Sequence, residues 1–283
     1  MNQINRAEIL IEALPYIRRY HGQTVVIKYG GAAMVREEVK RAVMQDVALL
    51  HFVGLKPIVV HGGGREISDT LKAMGKETPF INGLRVTDAE TMRITEMVLV
   101  GHLASEIVQL INEQGGCAVG LSGKDANLLR AEKVLSDDLG FVGEVVEVNP
   151  ALLHSLAQAD FIPVVSPIAF GADGATYNLN ADHAAGKLAA AVGAAKLILL
   201  TDVRGVYRDL ADETSHLPEL TRGEIHAMIA SGAAERGMIP KLQSCLDALD
   251  GGVERAHIID GRVPHAVLME IFTDRGIGTM VVN

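Results

Sequence analysis

Short runs of apolar, largely β-branched residues recur along the chain, and glycine or a polar residue follows each of them closely. Four of these runs, with the residues that follow, read TVVIKYGG, PIVVHGGG, IPVVSPI and KLILLTDV. Stretches with apolar residues at helical spacing separate them, as between residues 39 and 50. Strands that are apolar on both faces and alternate with helices are typical of a mainly parallel sheet with helices on either side. The sequence therefore predicts an α/β fold built on such a sheet.

Other segments add to this pattern. Residues 6–21 carry apolar residues at helical spacing around Pro15, so we expect an N-terminal helix that either covers the core or makes an oligomer contact. Thr87 and Glu90 predict a capping box at the start of a long helical region. Residues 126–148 alternate between apolar and polar positions and predict a β-hairpin. Because no linker or repeat interrupts the chain, two lobes that share one sheet are favoured over two separate domains.

Composition narrows the class of function. The chain has 35 acidic and 26 basic side chains, for a net charge of -9, and it has no basic run that could follow a nucleic-acid backbone. Its two cysteines, Cys117 and Cys245, have no metal-binding spacing, and we expect both to be buried in a protein of a reducing compartment. The segment MNQINRAEILIEAL has acidic residues where a signal peptide has an uninterrupted apolar run, so we expect no signal peptide. We also expect no stretch to approach the roughly 18 apolar residues that span a membrane. We therefore expect a cytoplasmic protein without a nucleic-acid or membrane partner.

The residues that directly follow three of the apolar runs are suited to binding an anion. They are Lys28-Tyr29-Gly30-Gly31, His61-Gly62-Gly63-Gly64 and Thr201-Asp202-Val203-Arg204-Gly205-Val206. Ligands of doubly wound sheets bind beyond the carboxyl ends of the strands, and glycine lets backbone amides approach them closely. Each piece alone is more often a tight turn or a solvated lysine. Neither Gly123-Lys124 nor Gly186-Lys187 completes a Walker A motif, and no GxGxxG follows a strand, so a P-loop or dinucleotide enzyme is disfavoured.

Taken together and in order, six segments resemble the amino acid kinase family along nearly the whole chain. They are VIKYGG, VVHGGG, NGLRVTD, NLNAD, LLTDVRGVY and GMIPK. The pair NGLRVTD and NLNAD is similar to the branch that acts on N-acetyl-L-glutamate, although enzymes for the one-carbon-longer N-acetyl-aminoadipate look similar. The resemblance implies a three-layer αβα sandwich around a mainly parallel sheet. It also implies an N-terminal oligomerisation helix at residues 1–22, an N-acetylglutamate lobe at 23–175 and an ATP lobe at 176–283.

The same resemblance implies a reaction. The γ-phosphoryl group of ATP, which carries Mg²⁺, would pass to the side-chain carboxylate of N-acetyl-L-glutamate in L-arginine biosynthesis. A glutamate-like carboxylate has a pKa of about 4.3, so it is already ionised at neutral pH and needs no general base. The reaction does need positive charge, because two anions must approach each other. By resemblance, Lys28 serves the attacking side, Lys241 serves the leaving side, and Asp182 holds both ammonium groups.

Binding residues also follow from the resemblance. The amides of Gly63 and Gly64 would contact the reacting carboxylate. Arg85 would bind the α-carboxylate with its guanidinium fork, and Asn178 would bind the amino-acid portion. The residues expected on the nucleotide side are Gly30, Gly31, Thr201, Asp202 and Gly205. We expect His61 to be a structural turn residue, and Lys124 has no assigned role.

The N-terminal helix and the C-terminal run HIIDGRVPHAVLMEIFTDRGIGTM resemble the arginine-inhibited subgroup of these kinases. Members of that subgroup are hexamers, trimers of dimers linked by paired N-terminal helices, and they bind L-arginine between that helix and the C-terminal lobe. We expect Glu270 to bind the guanidinium, with His257, the backbone of Gly276 and Tyr16 completing the site. Without the resemblance, a solvated helix residue is the simpler interpretation of Glu270. Some relatives also bind a nitrogen-signalling PII protein, and the sequence does not decide this partner.

Two other functions stay open. The first is a kinase of the same family that acts on N-acetyl-aminoadipate or an unacetylated amino acid. The second is a catalytically silent arginine-binding module that kept the fold. The joint presence of Lys28, Asp182 and Lys241 argues against the silent module, and a substrate panel would separate the kinases.

Overall fold

The structure is a computed structural model that describes residues 3–135, 138–209, 211–234, 237–273 and 276–283. Within these ranges the α-helices are α1 (Gln3–Tyr20), α2 (Glu37–Phe52), α3 (Gly64–Ala73), α4 (Ala89–Glu96), α5 (Ala104–Glu113), α6 (Ala151–Gln158), α7 (Ala181–Ala191), α8 (Arg222–Ser231), α9 (Ile239–Asp250) and α10 (Ala266–Ile271). The strands are β1 (Thr24–Tyr29), β2 (Lys56–His61), β3 (Phe80–Ile81), β4 (Leu84–Arg85), β5 (Ala118–Ser122), β6 (Leu129–Lys133), β7 (Val142–Val148), β8 (Ile162–Ser166), β9 (Ile168–Phe170), β10 (Thr176–Leu179), β11 (Lys196–Thr201), β12 (Val206–Tyr207), β13 (His216–Leu217), β14 (Glu219–Thr221), β15 (Arg255–Asp260) and β16 (Thr279–Val282).

One eight-stranded sheet forms the centre of the molecule. Its strand order is β14-β16-β15-β11-β1-β2-β8-β5. Neighbouring strands are parallel except for β15 and β16, which pair antiparallel. The apolar runs of the sequence form the central strands, because a parallel sheet buried on both faces needs apolar side chains on both. The prediction of a mainly parallel sheet is confirmed.

Helices cover both faces of this sheet and complete the three layers. Successive side chains of β1 point to opposite faces, so Val26 packs in the core beneath α7 and α9, whereas Ile27 packs in the core beneath α2 and α5. Each of these two cores combines residues from before and after position 176. The chain therefore joins its two halves through one sheet, as expected from the absence of a linker.

The hairpin predicted at residues 126–148 is formed by β6 and β7, and it belongs to a larger unit. These strands close with β9 and β10 into a four-stranded barrel. β10 pairs in parallel with β7 and antiparallel with β9. Because β10 ends two residues before α7 begins, the barrel places Asn178 close to the first turn of that helix.

The N-terminal helix α1 continues through Pro15 and contacts the rest of the fold with its last turns. Tyr20 is 3% exposed, and Tyr16 packs against the same core. Ile11 and Leu14, earlier in the same helix, are exposed. The last turns of α1 thus cover the core, while its middle presents apolar side chains to solvent.

A single helical run extends from residue 89 to residue 113. It consists of α4, a π-helical segment at Met97–Leu103 and α5, and it is long and apolar enough to cross a membrane by length and composition. The expectation that no stretch approaches the roughly 18 apolar residues of a membrane span is therefore wrong by that criterion. Half of its most apolar window is buried inside the protein, where Leu99 and Ile107 pack into the core beneath the sheet. A core helix with one buried face has the same composition.

The two cysteines differ in exposure, which corrects the expectation that both are buried. Cys245 on α9 has no exposed surface, whereas Cys117 is exposed. Cys117 directly precedes β5, which begins at Ala118, so it lies in the connection between α5 and that strand. β5 is also the last strand at one edge of the sheet, so no neighbouring strand covers this turn on its outer side.

A buried carboxylate links α2 to α10. Asp46 has no exposed surface, and Nδ1 of His265, the residue before α10, donates a hydrogen bond to Asp46 Oδ1 over 2.6 Å. Burial raises the pKa of Asp46 to about 6, although the bond from His265 works in the opposite direction. The C-terminal helix is therefore tied to the N-terminal half of the chain through a group that titrates near neutrality.

Candidate active site

Two lysines meet one buried carboxylate at the carboxyl end of the central strands. Lys28 Nζ lies 2.9 Å from Asp182 Oδ1, and Lys241 Nζ lies 2.9 Å from Asp182 Oδ2. The side chains of Lys28, Lys241 and Asp182 are 10%, 18% and 8% exposed. Two positive charges and one negative charge leave this lysine–aspartate cluster with a net charge of +1. The cluster can therefore attract and neutralise an anion.

Local structure places each member of the lysine–aspartate cluster. Lys28 lies near the end of β1, in register with Val60 of β2 and Leu199 of β11. Asp182 lies in the first turn of α7, where the side chain of Asn180 caps the helix by accepting from the Asp182 amide over 2.8 Å. The motif NLNAD thus supplies both the helix cap and the carboxylate.

A close contact between α7 and α9 brings Lys241 to Asp182. Ser244 Oγ donates to the backbone oxygen of Asp182 over 2.5 Å. A Cβ atom at Gly186 would lie 2.6 Å from the backbone oxygen of Ser244, so a glycine is needed where the two helices cross. Gly186 and Ser244 each lie one helical turn after their member of the cluster. The glycine that fails to make a Walker A motif therefore has a packing role.

The electrostatics of Asp182 favour its ionised form. Burial alone would raise the pKa of its carboxyl, but the ammonium groups of Lys28 and Lys241 together outweigh burial and hold that pKa well below its usual range. Asp182 therefore carries a full negative charge at neutral pH, and it is not a proton acceptor.

A narrow cleft opens beside the lysine–aspartate cluster, with a volume of about 140 Å³. It is lined by Gly62, Gly63 and Gly64, by Arg85 and Asn178, and by Ala181, which precedes Asp182. The structure thus brings together the four residues that the sequence assigned to the acceptor substrate.

Arg85 is held in this cleft by the backbone of Gly64 and by side chains that the sequence did not indicate. Its guanidinium donates to the Gly64 backbone oxygen over 2.6 Å, to Ser68 Oγ over 2.7 Å and to Thr78 Oγ1 over 2.9 Å. The ring of Phe80 lies below it, with 4.5 Å between the guanidinium carbon and the ring centre. Arg85 is 6% exposed, and burial lowers its pKa, but a guanidinium stays charged at any physiological pH. A rigid, desolvated guanidinium of this kind is suited to a carboxylate.

The predicted capping box is wrong. Asp88, not Thr87, caps α4 by accepting from the Thr91 amide over 2.8 Å. Thr87 is fully buried and donates instead to the backbone oxygen of Arg85 over 2.7 Å. Asn178 Nδ2 lies 3.4 Å from Thr87 Oγ1. Thr87 therefore connects the cleft residues Arg85 and Asn178, and the neighbouring Asp88 caps the helix.

A wider cleft of about 600 Å³ lies on the other side of Lys241. Asp202 and Gly205 line it together with Lys241, as the nucleotide assignments require. Gly205 leaves no space for a side chain, because a Cβ atom would lie 2.6 Å from His216 Nε2. Thr201 is 3% exposed, and its Oγ1 accepts from the Val203 amide over 2.9 Å, so it shapes the turn and does not line the cleft.

The first glycine turn adjoins the second. A Cβ atom at Gly30 would lie 3.3 Å from both the Gly62 amide nitrogen and Lys28 Nζ, and Gly31 takes a left-handed conformation with φ of 61°. Gly30 and Gly31 therefore lie beside the lysine–aspartate cluster, and neither lines the wide cleft. Lys124, for which the sequence suggested no role, forms an ion pair with Glu96.

A separate cavity of about 180 Å³ contains the four residues predicted for arginine. They are Tyr16, His257, Glu270 and Gly276, and Lys196 and Arg255 line the same cavity. His257 Nδ1 donates to Glu270 Oε1 over 2.6 Å, and Lys196 Nζ lies 2.9 Å from His257 Nε2. Glu270 is 6% exposed, so the interpretation as a solvated helix residue is wrong.

Burial governs the charges in this cavity. It lowers the pKa of His257, so the ring is neutral and accepts at Nε2 from the Lys196 ammonium. It also lowers the pKa of Lys196 to about 8. Burial opposes ionisation of Glu270, but the hydrogen bonds from His257 and the Ile277 amide, together with the positive charge of Lys196, outweigh burial and hold the pKa of Glu270 below its usual value. The sequence patterns did not single out Lys196. The signal that could have found it is a lysine at the start of an otherwise apolar strand.

Comparison with known proteins places the chain in one group. A model described as the amino acid kinase family matches residues 23–260. A protein named acetylglutamate kinase from Caldanaerobacter subterraneus subsp. tengcongensis is 57% identical over 281 residues, covering 99% of this chain and 94% of its own. A protein of the same name from Symbiobacterium thermophilum is 55% identical over 288 residues, covering 99% and 98%.

A solved structure is also similar over nearly the whole chain. N-acetylglutamate synthase from Neisseria gonorrhoeae, in complex with coenzyme A and N-acetyl-glutamate, superposes with a TM-score of 0.85 at 25% identity. The match covers 98% of this chain, and this chain spans 63% of the length of that synthase chain.

Proposed function

The chain belongs to the amino acid kinase family, and from that premise we propose that it phosphorylates the side-chain carboxylate of N-acetyl-L-glutamate with ATP. The products are N-acetyl-L-glutamyl 5-phosphate and ADP, in a step of L-arginine biosynthesis. The observation that carries the proposal is the cluster of Lys28, Lys241 and Asp182 between a narrow and a wide cleft. Relatives named acetylglutamate kinase, similar over nearly their whole length, support it.

The reaction needs charge neutralisation more than proton transfer. An oxygen of the substrate carboxylate attacks the γ-phosphorus, a new bond forms between them, and the bond from phosphorus to the bridging oxygen breaks. ADP leaves with that electron pair. Because the carboxylate is ionised at neutral pH, no proton has to be removed from it. The lysine–aspartate cluster supplies the positive charge that lets two anions approach.

Each residue then has a role in this proposal. Lys28 faces the attacking carboxylate, and Lys241, which lines the wide cleft, faces the leaving diphosphate. Asp182 holds both ammonium groups in place. Mg²⁺ on the ATP phosphates would add further positive charge on the leaving side. Because Asp182 is fully engaged by two lysines, we expect the phosphates to provide most of the metal ligands.

The narrow cleft is proposed to bind the acceptor. The amides of Gly63 and Gly64 would contact the reacting carboxylate, Arg85 would pair with the α-carboxylate, and Asn178 would bond the amino-acid portion. The nucleotide would occupy the wide cleft against Asp202 and Gly205, while Thr201 holds the turn below. Residues 23–175 would thus supply most of the acceptor side, and residues 176–283 would supply the nucleotide side together with Asn178 of the acceptor cleft, with Gly30 and Gly31 at the junction.

Acyl phosphate formation is the test of this activity. Hydroxylamine converts an acyl phosphate to a hydroxamate, so we expect ATP-dependent hydroxamate from N-acetyl-L-glutamate and little from N-acetyl-aminoadipate or glutamate. Replacing Lys28 or Lys241 by alanine should lower kcat by about 10² to 10³, the cost of losing one donor to developing charge. Lys187→Ala is the control, because that lysine lies on α7 with its side chain 43% exposed. Wild-type turnover in either cluster variant would remove that lysine from the mechanism.

The alternatives would show themselves in the same assay. Preferential reaction of N-acetyl-aminoadipate would assign the chain to that substrate. No hydroxamate from any of these acids, together with arginine binding by calorimetry, would favour a silent arginine-binding module.

We also propose that L-arginine inhibits the enzyme from the cavity at Glu270. Tyr16, His257, Glu270 and Gly276 line that cavity together, and the buried carboxylate of Glu270 is ionised. Glu270→Gln should weaken arginine inhibition by about 10- to 100-fold, the cost of losing a hydrogen bond to a charged group, and leave uninhibited turnover intact. Glu254→Gln is the control, since this glutamate directly precedes the cavity residue Arg255 in the chain but its side chain is 62% exposed. Unchanged inhibition in Glu270→Gln would place the effector elsewhere.

The oligomer is a further part of the proposal. The exposed Ile11 and Leu14 on α1 suit a contact between paired helices, which would link dimers into a hexamer. Sedimentation should then give about 180 kDa for six chains of 30.2 kDa, and Ile11→Glu should reduce this to dimers. A cytoplasmic location and a PII partner stay predictions.

A further inference from the structure

The histidine that ends β2 has no role in the proposed chemistry, yet it is fully buried beside the second glycine turn. His61 Nδ1 lies 2.9 Å from the backbone oxygen of Gly62, and His61 Nε2 lies 2.8 Å from Ser166 Oγ. Burial lowers the pKa of His61 to about 4, so the ring is neutral at physiological pH and carries one N–H group.

The partners decide which ring nitrogen carries this proton. The backbone oxygen of Gly62 can only accept, so Nδ1 must donate to it. Nε2 then has a lone pair, and the hydroxyl of Ser166 donates to it. Ser166, at the end of β8, thus fixes the ring from the side opposite the glycine turn.

The bond to Gly62 has a consequence for Gly63. The backbone oxygen of Gly62 and the amide of Gly63 belong to one planar, trans peptide unit, so fixing the direction of the C=O bond also fixes the direction of the N–H bond. The Gly62 amide donates to the backbone oxygen of Tyr29 over 2.8 Å, which holds the preceding peptide unit as well. His61 therefore sets the direction of an amide on a residue that lines the narrow cleft.

The π-helical segment holds the same turn from the other side. A Cβ atom at Gly63 would collide with Leu103 and lie 2.6 Å from Leu99 Cδ2, so these leucines lie directly against the glycine. Ser166 Oγ is also 3.3 Å from the backbone oxygen of Leu99. π-Helical turns within α-helices are frequent at functional sites. Here one such turn contacts both the glycine and the serine that holds the histidine.

We propose that His61 is a positioning residue for phosphoryl transfer: through its bond to Gly62 it aims the Gly63 amide at the reacting carboxylate, and Ser166 holds the ring for that task. The inference rests on the proposed function and assigns a role to a residue that touches neither substrate. A displaced donor loses catalysis steeply, since an error of about 1 Å can cost about 100-fold.

Two replacements of His61 separate positioning from packing. His61→Asn retains an N–H donor near the place of Nδ1, whereas His61→Leu retains volume without a donor. His51→Leu is the matched control, because His51 lies in the last turn of α2 and pairs with Asp160, away from the glycine turn. We expect His61→Leu to lower kcat and kcat/KM for N-acetyl-L-glutamate together by about 10- to 100-fold, with KM for ATP within about twofold. His61→Asn should recover most of the loss, and His51→Leu should match wild type.

Ser166→Ala keeps the test decisive if His61→Leu folds poorly. Ser166→Ala should lower kcat by a smaller factor than His61→Leu does. In the double variant that carries both replacements, Ser166→Ala should cause no further loss, because both residues act through one peptide unit. The profile of kcat against pH should have the same shape in wild type and His61→Asn. A lost acid limb would make His61 a proton-transfer group and overturn the positioning role.

The remaining outcomes distinguish the inference from the reaction on which it rests. A wild type that forms no hydroxamate overturns the reaction and the inference together. An active wild type with equal kcat in His61→Leu, or with no recovery in His61→Asn at equal melting temperature, overturns the positioning role alone.

Discussion

Replacing Asp182 by asparagine tests whether one carboxylate holds the two lysines of the proposed active site. The replacement keeps the shape of the side chain and removes its charge. Each ammonium nitrogen lies 2.9 Å from a carboxylate oxygen, and no side chain of the cluster is more than 18% exposed. At an effective dielectric constant of about 20, each contact gives about 6 kcal/mol of Coulomb attraction before the cost of dehydration. Removing one partner of such a buried pair costs about 3 to 5 kcal/mol net.

Thermal and urea unfolding measure this cost. A chain of this length has an unfolding entropy of about 0.6 kcal/mol/K, so Asp182→Asn should lower the melting temperature by about 5 to 8 °C. It should also lower kcat by about 10² to 10³, because the lysines lose the group that directs them. Asp247→Asn is the matched control. Asp247 is 15% exposed and also lies near a lysine, but Lys187 Nζ is 3.4 Å away on a side chain that is 43% exposed. Asparagine keeps an oxygen for the bond from Gln243, so losing only this partly solvated ion pair should cost about 1 kcal/mol or less.

The pH dependence of this difference has a definite sign. The folded pKa of Asp182 is held below its usual value, so its stabilisation is complete above the unfolded pKa of about 4 and is lost only as the pH falls through the lower folded value. The difference in the free energy of unfolding between wild type and Asp182→Asn should therefore be constant between about pH 6 and 8. If Asp182→Asn lowered the free energy of unfolding by less than about 1 kcal/mol, or if Asp247→Asn lowered it equally, the reasoning would be refuted.

Three further predictions concern other parts of the molecule. Burial raises the pKa of Asp46 to about 6, so between about pH 4 and 6 the folded state keeps a proton that the unfolded state loses, and the free energy of unfolding of the wild type should fall by about 3 kcal/mol. Urea unfolding of Asp46→Asn should lack this decrease. An equal dependence of the unfolding free energy on pH in both proteins would contradict the prediction. Gly63→Ala should cost about 1 to 3 kcal/mol and most of the turnover because its Cβ meets Leu99 and Leu103, whereas Gly223→Ala on α8 meets nothing within 4 Å and should cost nothing. Arg85→Lys should raise KM for the acceptor by about 10- to 100-fold, since an ammonium group cannot reproduce the bonds to Thr78, Ser68 and Gly64; an unchanged KM would show that Arg85 does not bind the acceptor.

Sequence patterns identified neighbouring residues of the proposed site where one short segment supplies several of them. The segment NLNAD supplies Asn178 of the cleft, the Asn180 cap and Asp182 within five residues, and all three depend on the passage from β10 into α7. The capping box at Thr87 failed because two neighbouring polar side chains could each cap the helix, and a bond from Thr87 to the backbone two residues earlier decided between them. Thr87 bonds the backbone of Arg85, so Asp88 caps the helix.

The sequence by itself determined the layered fold, because apolar runs that alternate with helical segments have few ways to bury both faces of a strand. It also determined which residues follow each strand, and hence the kind of chemistry at the sheet edge. Only the tertiary structure decided how residues distant in the chain meet. Lys28 reaches Asp182 from β1, and Lys241 reaches it because Gly186 lets two helices approach closely. Likewise, the bond that holds the ring of His61 comes from Ser166, 105 positions later in the chain, because strand pairing and not local sequence placed the two side chains together.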